Sequence, residues 1–263
     1  MKTLSAPAKI NLALVVGPRR PDGKHEVATV LQRVDLADDV SLETGSGLQI
    51  EGFSGDTLVR SALEALAAAA GMEPGWRVEI EKRIPVAAGL GGGSSDAASA
   101  LRLGNDTLAE PVSPDQLHAI ASKLGADVPF FLTEGPQLGT GIGTDLTALD
   151  LPRQYVVLLV VRAGAEKPST ASVYDSFEGA AGFEERRDAL VAALAAGDLT
   201  GLPGNDLASS PLADELRALG AFRADVSGAG PAVYGLFTDA AQAAAARDVF
   251  APQGTTWLTK PAW

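Results

Sequence analysis

Lys9 and Asn11 lie two apart in the segment Ala6-Pro7-Ala8-Lys9-Ile10-Asn11-Leu12. On a strand that spacing puts both side chains on one face, with Cα atoms roughly 6.5 Å apart, so one ligand could meet a cation and an amide together. Taken alone, the same pair also suits a solvated strand face. Further along, Pro85, Val86, Ala87, Ala88, Gly89, Leu90, Gly91, Gly92, Gly93, Ser94 and Ser95 form a glycine-crowded loop. Glycine lets backbone N–H groups approach an anion, and a helix starting behind the loop aims its unsatisfied donors and positive dipole end at the same point. That is the chemistry of a phosphate cradle, although a short glycine cluster by itself serves equally as a flexible turn. Neither common fingerprint fits: no Gly-Lys-Ser/Thr follows, and Gly89, Gly91 and Ser94 miss the Gly-x-Gly-x-x-Gly spacing. A second glycine loop, Ser227-Gly228-Ala229-Gly230-Pro231, lies between two strand-like runs and would also suit a hairpin connection. Asp127 stands between Gly125 and Pro129, its backbone held from both sides, as that of a plain turn aspartate would be. His25 follows the turn signal Asp22-Gly23-Lys24 and by itself says little.

These groups need elements to hold them. Val78 and Ile80 alternate with Glu79 and Glu81 as a strand leading into the loop, and Ala97, Ala98, Ala100, Leu101 and Leu103 continue as a helix ending near Gly104. Ser94, Ser95 and Asp96 are the candidate N-caps of that helix. Ile10, Leu12 and Leu14 alternate in the first strand, with Lys9, Asn11 and Ala13 on its opposite face. Strands are also expected over Val27–Val34, Val40–Glu43 and Leu48–Glu51. Ser61-Ala62-Leu63-Glu64 reads as a capping box opening a helix that stops at Gly71, and Ser113-Pro114-Asp115-Gln116 repeats the device for a helix running to Lys123 or Leu124. The pattern changes near Asp150–Arg153, which marks a domain boundary. Beyond it come a strand (Tyr155–Val161), helices (Ser169–Phe177 and Phe183–Ala196), strands (Phe222–Val226 and Ala232–Phe237), a helix (Ala240–Val249) and a strand (Thr255–Thr259). That order is close to a split βαβ, ferredoxin-like layout.

Composition narrows the partners. A net charge of −12 argues against a nucleic-acid partner, because binding a phosphate backbone depends on lysine and arginine displacing counterions. Small anions remain compatible with a few placed cations and backbone donors in a closed site. The absence of cysteine removes thiolate metal sites and cysteine nucleophiles, and the presence of only two histidines, His25 and His118, argues against a histidine metal cluster. The strongest apolar run, Val156–Val161, is too short to span a bilayer, and the first residues lack a signal-peptide core, so a cytoplasmic protein is expected.

Together these segments resemble the GHMP small-molecule kinases. Ala6–Leu12, Pro85–Ser95 and Ser227–Pro231 match the three motifs of that superfamily in order. Pro21-Asp22-Gly23-Lys24-His25, Leu124-Gly125-Ala126-Asp127-Val128-Pro129-Phe130-Phe131 and Asn205-Asp206-Leu207 are similar to one subgroup, which acts on a cytidine diphosphate ester of methylerythritol. The resemblance covers nearly the whole chain. It implies an α+β, two-domain fold: residues 1–151 an ATP-binding domain like ribosomal protein S5 domain 2, residues 152–263 a ferredoxin-like domain. It also implies ATP-dependent phosphorylation of the 2-hydroxyl of 4-diphosphocytidyl-2-C-methyl-D-erythritol in non-mevalonate isoprenoid precursor synthesis, with Mg²⁺, by a monomer or homodimer whose partner is that small molecule and neither nucleic acid nor membrane. On this resemblance Lys9 and Asp127 are catalytic, Asp127 orienting the hydroxyl and taking its proton and Lys9 stabilising the developing charge. The loop from Pro85 to Ser95 holds ATP, and Ser95 is the metal contact. Asn11, Lys24, His25, Thr170, Tyr174, Gly228 and Gly230 face the substrate, with His25 touching the cytosine and Tyr174 stacking on it.

Three positions depart from the subgroup pattern. Lys24 stands where a tyrosine usually forms the second wall of the cytosine clamp, Asp56 where asparagine is usual near the expected adenine pocket, and Ala229 where serine is common. The rival readings are a GHMP kinase for mevalonate, homoserine or a sugar, which should lack the Asp-Gly-x-His turn and Gly-Ala-Asp-Val-Pro, and a non-catalytic nucleotide-binding relative, against which both Lys9 and Asp127 count.

Overall fold

In the computed structural model, which describes residues 1–53, 57–165, 169–179 and 181–263, the first two strands run further than the alternation predicts. β1 (Lys2–Arg19) is buried continuously through its middle, and β2 (His25–Thr44) merges two expected strands into one. Lys9 and Asn11 are only 3% and 4% exposed, so the strand has no solvated face at these positions. A strand covered on both sides loses the apolar–polar alternation that marks a half-buried one. By contacts the chain forms two units, each discontinuous in sequence, and β1 and β2 pass through both.

The first unit comprises Met1–Ala8, Leu36–Val86 and Gly91–Glu134. Its further elements are β3 (Gln49–Glu51), α1 (Leu58–Ala69), β4 (Trp76–Glu81), α2 (Gly92–Asn105), α3 (Pro114–Leu124) and α4 (Val128–Leu132). The end of β2 pairs antiparallel with β4, Val40 opposite Ile80 and Leu42 opposite Val78, while β3 lies parallel on the other side of β4. Helix α1 starts one turn before the expected capping box: Thr57 is its N-cap, and Ser61 is an interior residue whose hydroxyl bonds back to the Thr57 carbonyl at 2.9 Å. Burial of Val59, Ala62, Leu63 and Leu66 sets the helix start here, ahead of the local cap signal. The second box forms as expected, with Ser113 Oγ accepting from Gln116 N at 3.3 Å and Gln116 Oε1 accepting from Ser113 N at 3.0 Å. Helix α2 begins at Gly92 with Gly91 as N-cap, so Ser94, Ser95 and Asp96 lie inside the helix and are not its caps.

The second unit comprises Lys9–Asp35, Ala87–Leu90 and Gly135–Trp263. It adds β5 (Gln137–Thr140), β6 (Asp145–Ala148), β7 (Val156–Arg162), α5 (Thr170–Asp175), α6 (Phe183–Ala195), α7 (Pro211–Ala218), β8 (Arg223–Val226), β9 (Val233–Phe237), α8 (Ala240–Phe250), β10 (Gly254–Thr259) and β11 (Pro261–Ala262). The antiparallel sheet β10-β7-β9-β8 has the 4-1-3-2 order of a ferredoxin-like layout, as the sequence pattern implies. Leu158, Val160, Leu216, Val233, Phe237 and Phe250 are among the residues of its core. Helix α7 had no counterpart in the expected order, although Ser210 caps it and Pro211 opens it. Elsewhere in this unit β5 pairs with β2, Gly139 opposite Thr29. Among the described residues no helix is long and apolar enough to cross a membrane.

Candidate active site

Within the second unit, segments far apart in sequence are tied together by hydrogen bonds to backbone carbonyls. Lys9 N donates to Leu90 O at 2.9 Å, Ala232 N to Ala88 O at 2.9 Å, and Ser227 Oγ to Gly89 O at 2.9 Å. Ser227 Oγ also accepts from Asn11 N at 3.4 Å. The approach is so close that a Cβ on Gly89, whose φ is +83°, would sit 2.3 Å from Ser227 O, so only glycine fits. Gly228 faces the Lys9–Asn11 pair: a Cβ there would lie 3.4 Å from Asn11 Oδ1 and 3.5 Å from Lys9 Nζ. Gly230 N closes the loop by donating to Ser227 O at 3.0 Å. Asn205 holds the loop from behind, its Nδ2 donating to Val226 O at 2.9 Å and Gly228 O at 2.6 Å. Next to it, Asp206 accepts from Val16 N at 2.8 Å and fastens the same segment to β1.

The buried pair is itself hydrogen-bonded. Lys9 Nζ donates to Asn11 Oδ1 at 2.6 Å, Asn11 Nδ2 donates to Thr29 Oγ1 at 2.8 Å, and Thr29 Oγ1 donates to Ala13 O at 2.8 Å. Beneath it Arg223, 7% exposed, gives its guanidinium to carbonyl oxygens, including Leu12 O and Leu202 O, the latter at 2.7 Å. Tyr234 donates to Leu12 O at 3.1 Å, and burial pushes its phenol up to about 12.

A second cluster gathers at the far end of β1. His25 Nδ1 lies 2.9 Å from Gly17 O. A carbonyl only accepts, so Nδ1 carries the proton, which leaves Nε2 as an acceptor in the neutral ring. The imidazole centroid is 5.9 Å from that of Tyr174 and 5.8 Å from that of Phe177, and both aromatics pack on Leu14, Val16 and Val27. Lys24 is exposed in the tight turn beside it, its N–H donating to Asp22 Oδ1 at 3.1 Å, and Thr170 is exposed at the first position of α5. From Asn11 to Gly17 the strand advances roughly 20 Å.

The remaining expected residues, Pro85, Val86, Gly91, Gly92, Gly93, Ser94, Ser95 and Asp127, belong to the first unit. Gly93 opens to free space, and the first N–H groups of α2 follow Gly91. Ser95 is fully buried, and its hydroxyl has no hydrogen-bond partner among the described residues. A divalent cation that travels with a nucleotide takes few protein oxygens, and this hydroxyl fits that limited demand. Asp127 is the partly buried N-cap residue of α4, and its carboxylate is not used in capping. Asp56 lies outside the described residues.

Sequence reasoning missed the anchor of the loop. Lys82 bridges the carboxylates of Asp38 and Asp96, both fully buried, with Asp96 Oδ2 at 2.6 Å. Burial works against the ammonium, but the bonds to Asp38 and Asp96 outweigh it and hold Lys82 above the usual lysine value. Asp38 also accepts from the amides of Arg83 at 2.5 Å and Ile84 at 2.8 Å, fixing the chain just ahead of the loop. Asp38 carries no local signal. Thr29, also missed, could have been found by counting back along the hairpin that the Asp22-Gly23 turn makes between β1 and β2.

Residues 57–135 match the family model described as GHMP kinases N terminal domain, and residues 208–253 match GHMP kinases C terminal. With the ferredoxin-like sheet and the joined glycine loops, they define a GHMP kinase, an ATP-dependent small-molecule kinase of α+β fold. A 4-diphosphocytidyl-2-C-methyl-D-erythritol kinase from Syntrophotalea carbinolica is 40% identical over 94% of this chain and 94% of its own length. A solved 4-(cytidine 5'-diphospho)-2C-methyl-D-erythritol kinase is 34% identical and superimposes with a TM-score of 0.83, covering 100% of both chains. A homoserine kinase from Cytophaga hutchinsonii, 18% identical, reaches 0.75 over 98% of this chain and 94% of its own, a likeness of fold alone. The chain belongs to the 4-diphosphocytidyl-2-C-methyl-D-erythritol kinase family.

Proposed function

We propose that the protein transfers the γ-phosphoryl group of ATP to the 2-hydroxyl of 4-diphosphocytidyl-2-C-methyl-D-erythritol, releasing ADP and the 2-phosphate, in isoprenoid precursor synthesis. The observation that carries the reading is the junction of Lys9 and Asn11 with the loops at Ala88–Leu90 and Ser227–Gly230. The cluster of His25 and Tyr174 beside the far end of β1 supports it: it stands off from Asn11 by a span suited to a substrate with a cytosine at one end and a reacting hydroxyl at the other.

In this reading Pro85–Ser95 holds the ATP phosphates, largely through backbone N–H groups. Asp127 orients the hydroxyl and accepts its proton as the new O–P bond forms and the bond to the ADP oxygen breaks. Lys9 stabilises the negative charge on the oxygens in transfer, and Asn11 contacts the substrate beside the hydroxyl. Ser95 Oγ would hold Mg²⁺, which when bound offsets charge on the phosphates. His25 and Tyr174 take the cytosine, Thr170, Gly228 and Gly230 line the substrate path, and Lys24 replaces one aromatic wall. The two family domains divide at 151/152 in this proposal, with the matched segments 57–135 and 208–253 on either side. A cytoplasmic monomer or homodimer completes it. ADP release measured with the cytidylated substrate beside mevalonate and homoserine tests the whole: turnover with the first alone is expected, and turnover only with a rival overturns the reading.

A further inference from the structure

Thr29 has no part of its own in the proposed reaction, yet its hydroxyl decides how two residues that do, Asn11 and Lys9, point. Its proton goes to the Ala13 carbonyl, 2.8 Å away, which can only accept. Its oxygen is therefore left to accept, and the Asn11 atom 2.8 Å from it must be the amide nitrogen. That fixes the flip of Asn11, turning Oδ1 toward Lys9 Nζ at 2.6 Å. The orientation is self-consistent at both ends, since an ammonium has only donors to offer and needs the carbonyl oxygen. Thr29 is 4% exposed, and its methyl group is pinned: Gly139 lies opposite it in β5, and a Cβ on that glycine would come within 3.2 Å of Thr29 Cγ2. With the methyl seated there, the hydroxyl stays aimed between Asn11 and Ala13.

We propose that Thr29 is a positioning residue for phosphoryl transfer, holding the Asn11 amide so that its oxygen fixes the direction of the Lys9 ammonium. The proposal rests on the reading that Lys9 and Asn11 act at the reacting hydroxyl. Without the Thr29 hydroxyl the NH₂ end of the Asn11 amide loses its partner, and the amide and the Lys9 ammonium bonded to its oxygen can shift together. A misaimed cation weakens stabilisation of the transferring group far more than it weakens the binding of ATP.

Kinetics of Thr29→Val, Thr29→Ser, Asn11→Ala, the double variant Asn11→Ala/Thr29→Val and Lys9→Ala test this, with circular dichroism and thermal melts as fold controls. Thr29→Val is expected to lower kcat about 10- to 100-fold with the KM for ATP within about twofold. Thr29→Ser, which keeps the hydroxyl but loses the pinned methyl, should recover kcat to within about fivefold of the parent. In the Asn11→Ala background, Thr29→Val should cost less than about twofold, because the group it positions is gone. If valine is not accommodated, Thr29→Ala carries the same expectations. A folded Thr29→Val with parental kcat, a serine variant no better than valine, or an equal penalty with and without Asn11 each overturns the proposal. An inactive Lys9→Ala alongside a fully active Thr29→Val removes Thr29 alone, whereas Lys9→Ala at parental turnover removes the reading of the site as well.

Discussion

The two ends of the buried stretch of β1 are built from opposite materials. Around Lys9 and Asn11 the contacts are short, directional and polar, passing from ammonium to amide to hydroxyl to carbonyl. Around Gly17 and His25 a contact to the Gly17 carbonyl anchors the imidazole, whose ring lies against Tyr174 and Phe177, and both aromatics pack on Leu14, Val16 and Val27. In a dry site a misplaced charge is costly and a well-placed one is strong, so the polar end has to be fixed in direction. Stacking tolerates small displacements, so the aromatic end needs area more than aim. In the proposed function phosphoryl transfer falls to the first end and base recognition to the second.

That division separates kcat from KM. The largest effect is expected from Lys9→Ala and Asp127→Asn, each lowering kcat by about 10³-fold or more while ATP-analogue binding by calorimetry stays near parental; near-normal rates would remove both roles. Tyr174→Ala should act on the other quantity, raising the KM for the cytidylated substrate about 5- to 100-fold with kcat little changed, as the loss of one stacked face predicts. An equal fall in kcat would show that the aromatic end also positions the hydroxyl. Lys24→Tyr should lower the same KM by up to about tenfold by restoring an aromatic wall, and an unchanged KM places that wall elsewhere. The smallest effect concerns the loop. Ala87 holds φ +57°, a left-handed conformation that L side chains adopt at a cost, so Ala87→Gly should stabilise the fold by about 1 kcal/mol, read as a higher urea midpoint with an unchanged slope. A lower midpoint would mean that the methyl group contributes packing that outweighs the strain.

Local chemistry was the legible part of this molecule. The capping box at Ser113 forms as read because its bonds close within one turn. The order of β7 to β10 follows from the turn signals and apolar runs between them. The start of α1 was misplaced because burial of Val59 and Leu63 overrides the cap at Ser61. The solvated face that the Lys9–Asn11 spacing also allows does not form, because Leu90 and Ser227, about 80 and over 210 residues away, bond to this stretch, and periodicity within one strand carries no trace of them. Lys82 with Asp38 and Asp96 is another such case: three charged residues on separate segments whose pairing exists only in the fold.

The charge count of that last cluster has a consequence for solution conditions. One ammonium serves two buried carboxylates, and the ammonium's proton is held more tightly in the folded chain than in the unfolded one. A basic group shifted upward on folding adds stability that is fully present below its unfolded value, near 10.5, and drains away as pH climbs through the higher folded value. The segment that leads into the first glycine loop is therefore guarded against alkali only while Lys82 keeps its proton. Urea midpoints that hold up to about pH 10 and fall above it in the parent, but change less in Lys82→Met, would trace that loss to this residue; parallel falls in the two proteins would assign it elsewhere.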